Sequence, residues 1–166
     1  MIPTGGIAGK ATFAPTTGGD NELFNGDMEG FPIVVELEVR YRDLDPLGHV
    51  NNAVYLSYIE LARVRYFEAF GADVVRGDAA PVVARAEVDY ERPIFLGARL
   101  RVGARVSRLG RSSFDMLYQI EADGALAAKA KTVHVWLGKD GRPTPLPQAV
   151  RDRVRALETL PVDGLS

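Results

Sequence analysis

Between Asp43 and Asn52 the chain reads Asp-Leu-Asp-Pro-Leu-Gly-His-Val-Asn-Asn, which gathers carboxylates, an imidazole and two side-chain amides in one short stretch. A carboxylate can take a proton from water or attack an electrophilic carbon itself, and an imidazole can orient or relay the proton. Tyr55, Tyr58 and Ile59, Ala62, Tyr66 and Phe70 follow at three- and four-residue spacing, as one buried helix face requires. Asn51 or Asn52 is placed to cap that helix, since an Asn side chain accepts from first-turn amides. Gly71 is placed to stop it. Asp45 therefore precedes a helix N-terminus, whose unpaired N–H groups favour developing negative charge. An acid/base group beside an oxyanion site is what acyl transfer needs.

Each of these residues also has an ordinary role. Asp45 stands before Pro46 and can serve simply to shape a turn. Asp43 is assigned to the turn, its carboxylate solvated or paired with an arginine. His49 lies between Asp45 and the helix start, where it contacts substrate, orients Asp45 or faces solvent. Asn52 would act through its backbone amide. Glu60 is a reserve acid/base, and its everyday partner is Arg63 three residues on. Tyr55 and Tyr58 read as core or pocket wall, and His134, on the parity of Trp136, reads as structural. Arg108 and Arg111 flank Gly110 in a turn, where arginines are usually solvated.

The elements that must position this stretch are legible by period. Residues 1–30 hold seven of the 17 glycines and four threonines without apolar periodicity, which predicts a flexible leader. A single domain over 31–160 and a tail over 161–166 follow. Val35, Leu37, Val39 and Tyr41 alternate with charged residues, predicting a half-exposed strand over 35–42. After the helix and a connection over 72–80, four more strands are predicted. Ala84, Ala86, Val88 and Tyr90 form the apolar side of one, ended by Arg92-Pro93. Leu100, Val102, Ala104 and Val106 form that of the next, and Phe114, Met116, Tyr118 and Ile120 that of the third. Asp123-Gly124 signals a hairpin turn. The last, about 126–137, has Ala128 and Ala130 out of phase with Val133, Val135 and Leu137, which a bulge near Lys131–Thr132 or burial on both faces would explain. A short helix with Val150, Val154 and Leu157 inward closes the chain. The class is α+β: one long helix covering a five-stranded antiparallel sheet.

Composition excludes several function classes. The 20 Lys and Arg against 22 Asp and Glu give a net charge of −2, without the bulk positive field that nucleic acid or anionic membrane binding uses. There are no cysteines, hence no disulfide, thiolate nucleophile or Cys-based metal site. His49 and His134 lack ligand-spaced partners, so no metal site is expected. Without a long apolar run or a signal-like start, a cytoplasmic protein is expected.

From Arg40 to Arg63 the chain reads R-x-x-D-x-D-P-x-G-H-V-N-N-x-x-Y-x-x-Y-x-E-x-A-R. With Tyr90-Glu91-Arg92-Pro93, Gly97, Leu109-Gly110-Arg111-Ser112-Ser113-Phe114 and Gly141-Arg142-Pro143, this resembles the hotdog-fold thioesterases of the 4-hydroxybenzoyl-CoA thioesterase type over about residues 33–158. The resemblance implies a helix wrapped by a curved antiparallel sheet, and homodimers or homotetramers with active sites at subunit interfaces. It implies that Asp45 is the catalytic carboxylate, as general base or nucleophile, and that the amide of Asn52 polarises the thioester carbonyl. Tyr55, Arg111, Ser112 and Ser113 would meet the substrate, Arg111 through the phosphates of coenzyme A, which enters as part of the substrate; no separate cofactor is implied. The benzoyl-specific enzymes differ where this chain has His49-Val50-Asn51-Asn52, so their substrate is not carried over. Plant acyl-carrier-protein thioesterases share the His-Val-Asn-Asn ending but have asparagine where Leu47 stands. The expected activity is hydrolysis of a fatty or aromatic acyl-CoA. A hotdog hydratase or dehydratase using His49 and Glu60, or a non-catalytic acyl-CoA-binding module, are the alternatives, and neither releases free thiol.

Overall fold

The computed structural model describes residues 28–69 and 80–165. Strand β1 (Ile33–Glu38) is followed by a 3-10 turn at Tyr41–Asp43 and helix α1 (Val54–Glu68). Four strands come next: β2 (Ala80–Tyr90), β3 (Arg99–Leu109), β4 (Ser113–Ala122) and β5 (Ala125–Leu137), then helix α2 (Gln148–Leu157). They form one five-stranded sheet in the order β1-β3-β4-β5-β2, with every neighbouring pair antiparallel. Asp123 and Gly124 turn β4 into β5 with φ of 50° and 78°, the left-handed pair that a two-residue hairpin demands.

One face of the sheet and one face of α1 make the core. Leu100, Val102, Ala104 and Val106 of β3 and Phe114, Met116, Tyr118 and Ile120 of β4 pack with Tyr55, Tyr58, Ile59, Ala62 and Tyr66. Full burial of a large apolar side chain stabilises by roughly 1.5–3 kcal/mol, so this face outweighs the indifferent propensity of the tyrosines and β-branched residues in α1. On the other side of the sheet Met28 and Phe31 are buried. A Cβ at Gly103 would lie 2.7 Å from the Phe31 ring, so only glycine admits that approach.

The observed elements depart from the sequence reading in three places. The first strand stops at Glu38 instead of running through residue 42. Asp43 Oδ2 accepts from both Arg40 N (3.0 Å) and Arg40 Nε (3.2 Å), which coils the chain and leaves Tyr41 exposed. In β5 there is no break at Lys131–Thr132; the shift in register lies where Ile120 faces Ala128 and Glu121 faces Leu126. The inward residues simply continue as Thr132, His134 and Trp136. Thr132 and His134 are polar but tied together, with Thr132 Oγ1 3.0 Å from Tyr118 OH and 2.8 Å from His134 Nε2. Burial, helped by the charge of Arg63, pushes His134 down to about 4, so it sits neutral against Phe114 with ring centroids 4.6 Å apart.

The third departure concerns β2. Its alternation predicted one buried face, yet it is mostly exposed on both, because α1 lies over β1 and β3 and nothing in the described chain covers this edge. Phe70, Gly71 and nearly all of the 72–80 connection lie outside the described residues.

After α2, which buries Val150 and Val154, the chain returns along the end of β3. Leu109 N donates to Asp163 O (2.7 Å) and Asp163 N to Ser107 O (3.0 Å). Glu158 Oε1 accepts from Tyr66 OH and from Val106 N, both at 2.6 Å, and its other oxygen stands 3.6 Å from Arg105 Nε. The strands thus define two ends of the sheet. Glu38, Tyr90, Arg99, Ala122 and Ala125 gather at one, and Ala80, Leu109, Ser113 and Leu137 at the other.

Candidate active site

The Asp45 turn sits at the first of these ends. Asp45 N donates to His49 O (2.9 Å) and Gly48 N to Asp45 O (3.0 Å), so the chain folds back on itself within five residues, with Gly48 at φ 82°. A residue with a Cβ is strained in that conformation. Leu47 N donates to Asp45 Oδ1 at 2.8 Å, and His49 Nδ1 lies 3.2 Å from Asp45 Oδ2. Both carboxylate oxygens therefore have fixed neighbours. The side chains remain reachable, 16% exposed for Asp45 and 30% for His49.

Asp43 is the anchor of the turn. It is only 3% exposed and accepts a third hydrogen bond, from Tyr58 OH at 2.9 Å, which ties the turn to α1. Burial raises its pKa, but the Arg40 amide, the Arg40 guanidinium and the Tyr58 hydroxyl outweigh this and hold it below the usual carboxylate range. Asn51 N donates to Asp43 O (2.9 Å) and Val50 N to Ile94 O (2.8 Å), so the segment is clamped on both sides. Of the two acids in the turn, one is spent on structure and one is left accessible.

At the helix entrance Asn51 Oδ1 accepts from Ala53 N (2.9 Å), one turn ahead of the helix proper, whose cap position is Ala53. Asn51 thus closes the turn leading into α1, and neither asparagine caps the helix itself. Val54 N donates to Asn51 O. The Asn52 amide makes no hydrogen bond within the described residues, so it is a free donor where the helix dipole is positive. Tyr90 OH donates to Asn52 O at 3.0 Å, fixing the next peptide from the end of β2. Sequence reasoning gave Tyr90 no role at the site; its place in the Tyr-Glu-Arg-Pro motif was the available signal. An open cleft of about 340 Å³ lined by Arg92, Ile94, Phe95, Ala98 and Asp123 among others is not lined by Asp45, His49 or Asn52. It adjoins the turn only through Ile94, paired with Val50, and Phe95, paired with His49.

The remaining candidates are placed elsewhere. Tyr55 is 2% exposed, packed edge-on to Tyr90 at 4.9 Å, so within one chain it supports the site from the core. Glu60 faces solvent and pairs with Arg63 Nη2 at 2.7 Å; no contact joins it to Asp45 or His49. Arg108 is not free for a ligand, because Asp115 Oδ1 accepts from its Nη2 at 2.6 Å. Arg111 is exposed and its side chain has no partner among the described residues. Ser112 and Ser113 flank the same turn, with Ser113 Oγ 3.4 Å from Arg108 Nη2. That turn is at the far end of the sheet. The β3 strand that separates it from Arg99 spans about 33 Å at roughly 3.3 Å per residue. One chain therefore cannot bring Arg111 to its own Asp45.

Residues 33–154 match the family model of the thioesterase-like superfamily. The chain belongs to that superfamily. Its sheet wrapped around α1 is the hotdog fold. A thioesterase of Thermus thermophilus, whose crystal structure holds coenzyme A and zinc, is 57% identical with a TM-score of 0.74, covering 81% of this chain and 99% of that one. A 1,4-dihydroxy-2-naphthoyl-CoA hydrolase of Synechococcus elongatus is 31% identical over 69% of this chain and 88% of its own length. A chloroplastic acyl-acyl carrier protein thioesterase of Arabidopsis thaliana is 32% identical over 72% of this chain, which spans only 65% of that relative. Thioester hydrolysis is the reaction class that the names of these relatives share, and family membership places the chain among the thioesterases. Among the described residues no three His, Asp or Glu side chains cluster as a metal site needs, and no helix is long and apolar enough to cross a membrane.

Proposed function

We propose that this thioesterase-like protein hydrolyses the thioester of a fatty or aromatic acyl-CoA, as the 4-hydroxybenzoyl-CoA type does. The observation that carries the reading is the pairing of an accessible, doubly oriented Asp45 with the unengaged Asn52 amide at the start of α1. Asp45 acts as general base toward water or as nucleophile on the thioester carbon, and His49 holds its second oxygen. The Asn52 N–H stabilises the oxyanion, aided by the helix dipole. A thiolate leaves readily, so one carboxylate and one oxyanion donor suffice. Glu60 faces solvent beside Arg63 and makes no contact with His49, so the geometry of one chain does not favour a His49–Glu60 hydratase pair.

The working unit in this proposal is a homodimer joined through β2. The open edge of β2 carries Val82 and Val83 exposed, and α1 shows Leu56, Leu61 and Val64 to solvent on its uncovered side. An unpaired edge beside apolar surface is a pairing template, and a two-fold axis through it makes one continuous antiparallel sheet. Antiparallel pairing of two β2 strands sets the Asp45 end of one subunit beside the Arg111 end of the other. Arg111 of the partner subunit then serves Asp45, binding coenzyme A phosphates in bidentate fashion.

Free-thiol detection across acyl-CoAs of graded length and aromatic type tests the function. Turnover with at least one class is expected. Binding without thiol release would leave an acyl-CoA-binding module, and hydration without thiol release a hydratase.

A further inference from the structure

The turn that presents Arg111 is fastened from outside its own hairpin. Gly110 O accepts from Arg151 Nη2 at 2.6 Å. Arg111 O accepts from the Leu146 amide at 2.8 Å, and Ser112 O from the Trp136 amide at 2.9 Å. Gly110 O belongs to the peptide that enters Arg111, and Arg111 O to the peptide that leaves it. Pinning both planes fixes φ and ψ at Arg111, and with them the direction of its Cα–Cβ bond. A hairpin tip left to solvent would be mobile. Here the two donors that flank Arg111 come from α2 and the segment before it, which Val150, Val154 and Leu146 root in the core. Arg151 is the one side chain among the three donors. Gly110 adds a tight fit, since a Cβ there would lie 2.9 Å from both Arg108 Nη1 and Ser113 Oγ.

We propose that Arg151 is a positioning residue for coenzyme A: through Gly110 O it sets the direction in which the Arg111 side chain leaves the backbone, so that the C-terminal helix biases nucleotide recognition at the partner's site. The inference rests on reading Arg111 as the phosphate ligand. A side chain aimed in advance loses less conformational freedom when the ligand arrives. Arg111 needs such help, because nothing else in the described chain holds its side chain.

The test compares acyl-CoA with the corresponding acyl-pantetheine thioester, which lacks the nucleotide. In full-length Arg151→Met, KM for acyl-CoA should rise about two- to tenfold, the scale of ordering one long side chain, and by less than in Arg111→Ala, since Arg151 acts only through Arg111. Its kcat, and its KM for the pantetheine substrate, should stay at the parent values. The double variant Arg111→Ala/Arg151→Met should be no worse than Arg111→Ala alone, because nothing is left to aim. An unchanged KM in folded Arg151→Met overturns the inference alone, and so does a double variant whose losses multiply. An unchanged KM in Arg111→Ala removes the phosphate reading as well. If Arg151→Met does not fold, Arg151→Lys carries the same comparison: a smaller rise confined to acyl-CoA supports the inference, and an equal loss with both substrates overturns it.

Discussion

Asp45→Asn should lower kcat for acyl-CoA hydrolysis by about two orders of magnitude or more, the usual scale for a positioned acid/base group, while the fold and subunit assembly persist. The substitution is nearly isosteric, and Asn Oδ1 can still accept from the Leu47 amide that now holds Asp45 at 2.8 Å. What is lost is the group that takes a proton or attacks carbon. Because Asp43, not Asp45, bears the hydrogen bonds that anchor the turn to Arg40 and Tyr58, thermal stability should move little. Steady-state kinetics with circular dichroism and light scattering check this. Near-parental turnover in a folded Asp45→Asn protein would remove Asp45 from the chemistry and bring Glu60 forward.

Arg111→Ala should raise KM for acyl-CoA and leave kcat unchanged. A contact made equally in the ground and transition states shows itself in that way. The expected loss is roughly 1–3 kcal/mol, or about five- to 150-fold, for a charge-assisted hydrogen bond. It should shrink at high salt, since an exposed guanidinium is screened within a Debye length of about 8–10 Å. An acyl-pantetheine thioester should be hydrolysed alike by variant and parent. Equal loss with both substrates would mean that Arg111 shapes the fold or the interface instead.

Local features were the legible ones. The buried face of α1 followed from spacing, whereas the sequence allows His49 several roles and only the structure puts its Nδ1 3.2 Å from Asp45 Oδ2. The Asp123-Gly124 hairpin followed from a dipeptide of the kind that takes two positive φ values cheaply. Alternation in β2 reported which side chains share a face, but not whether anything lies over it; that depends on where α1 settles, above β1 and β3. In β5 the inward residues are Thr132 and His134, and a reading that equates apolar with inward assigns such a strand the wrong phase. Arg108 looked free because its partner Asp115 lies on the other strand of the hairpin. Most consequentially, Asp45 and Arg111 both carried site-like motifs, yet the register of β3 sets them at opposite ends of the sheet.

That separation makes assembly the central claim: Asp45 of one subunit and Arg111 of the partner subunit serve one site. Mixed dimers of Asp45→Asn and Arg111→Ala subunits, isolated by two affinity tags, test it most directly. A shared site leaves one of the two sites with both groups intact, so the mixed dimer should recover parental KM for acyl-CoA at about half the parental kcat. If it shows only the raised KM of Arg111→Ala, with no low-KM component, each site is built within one subunit and the claim is wrong.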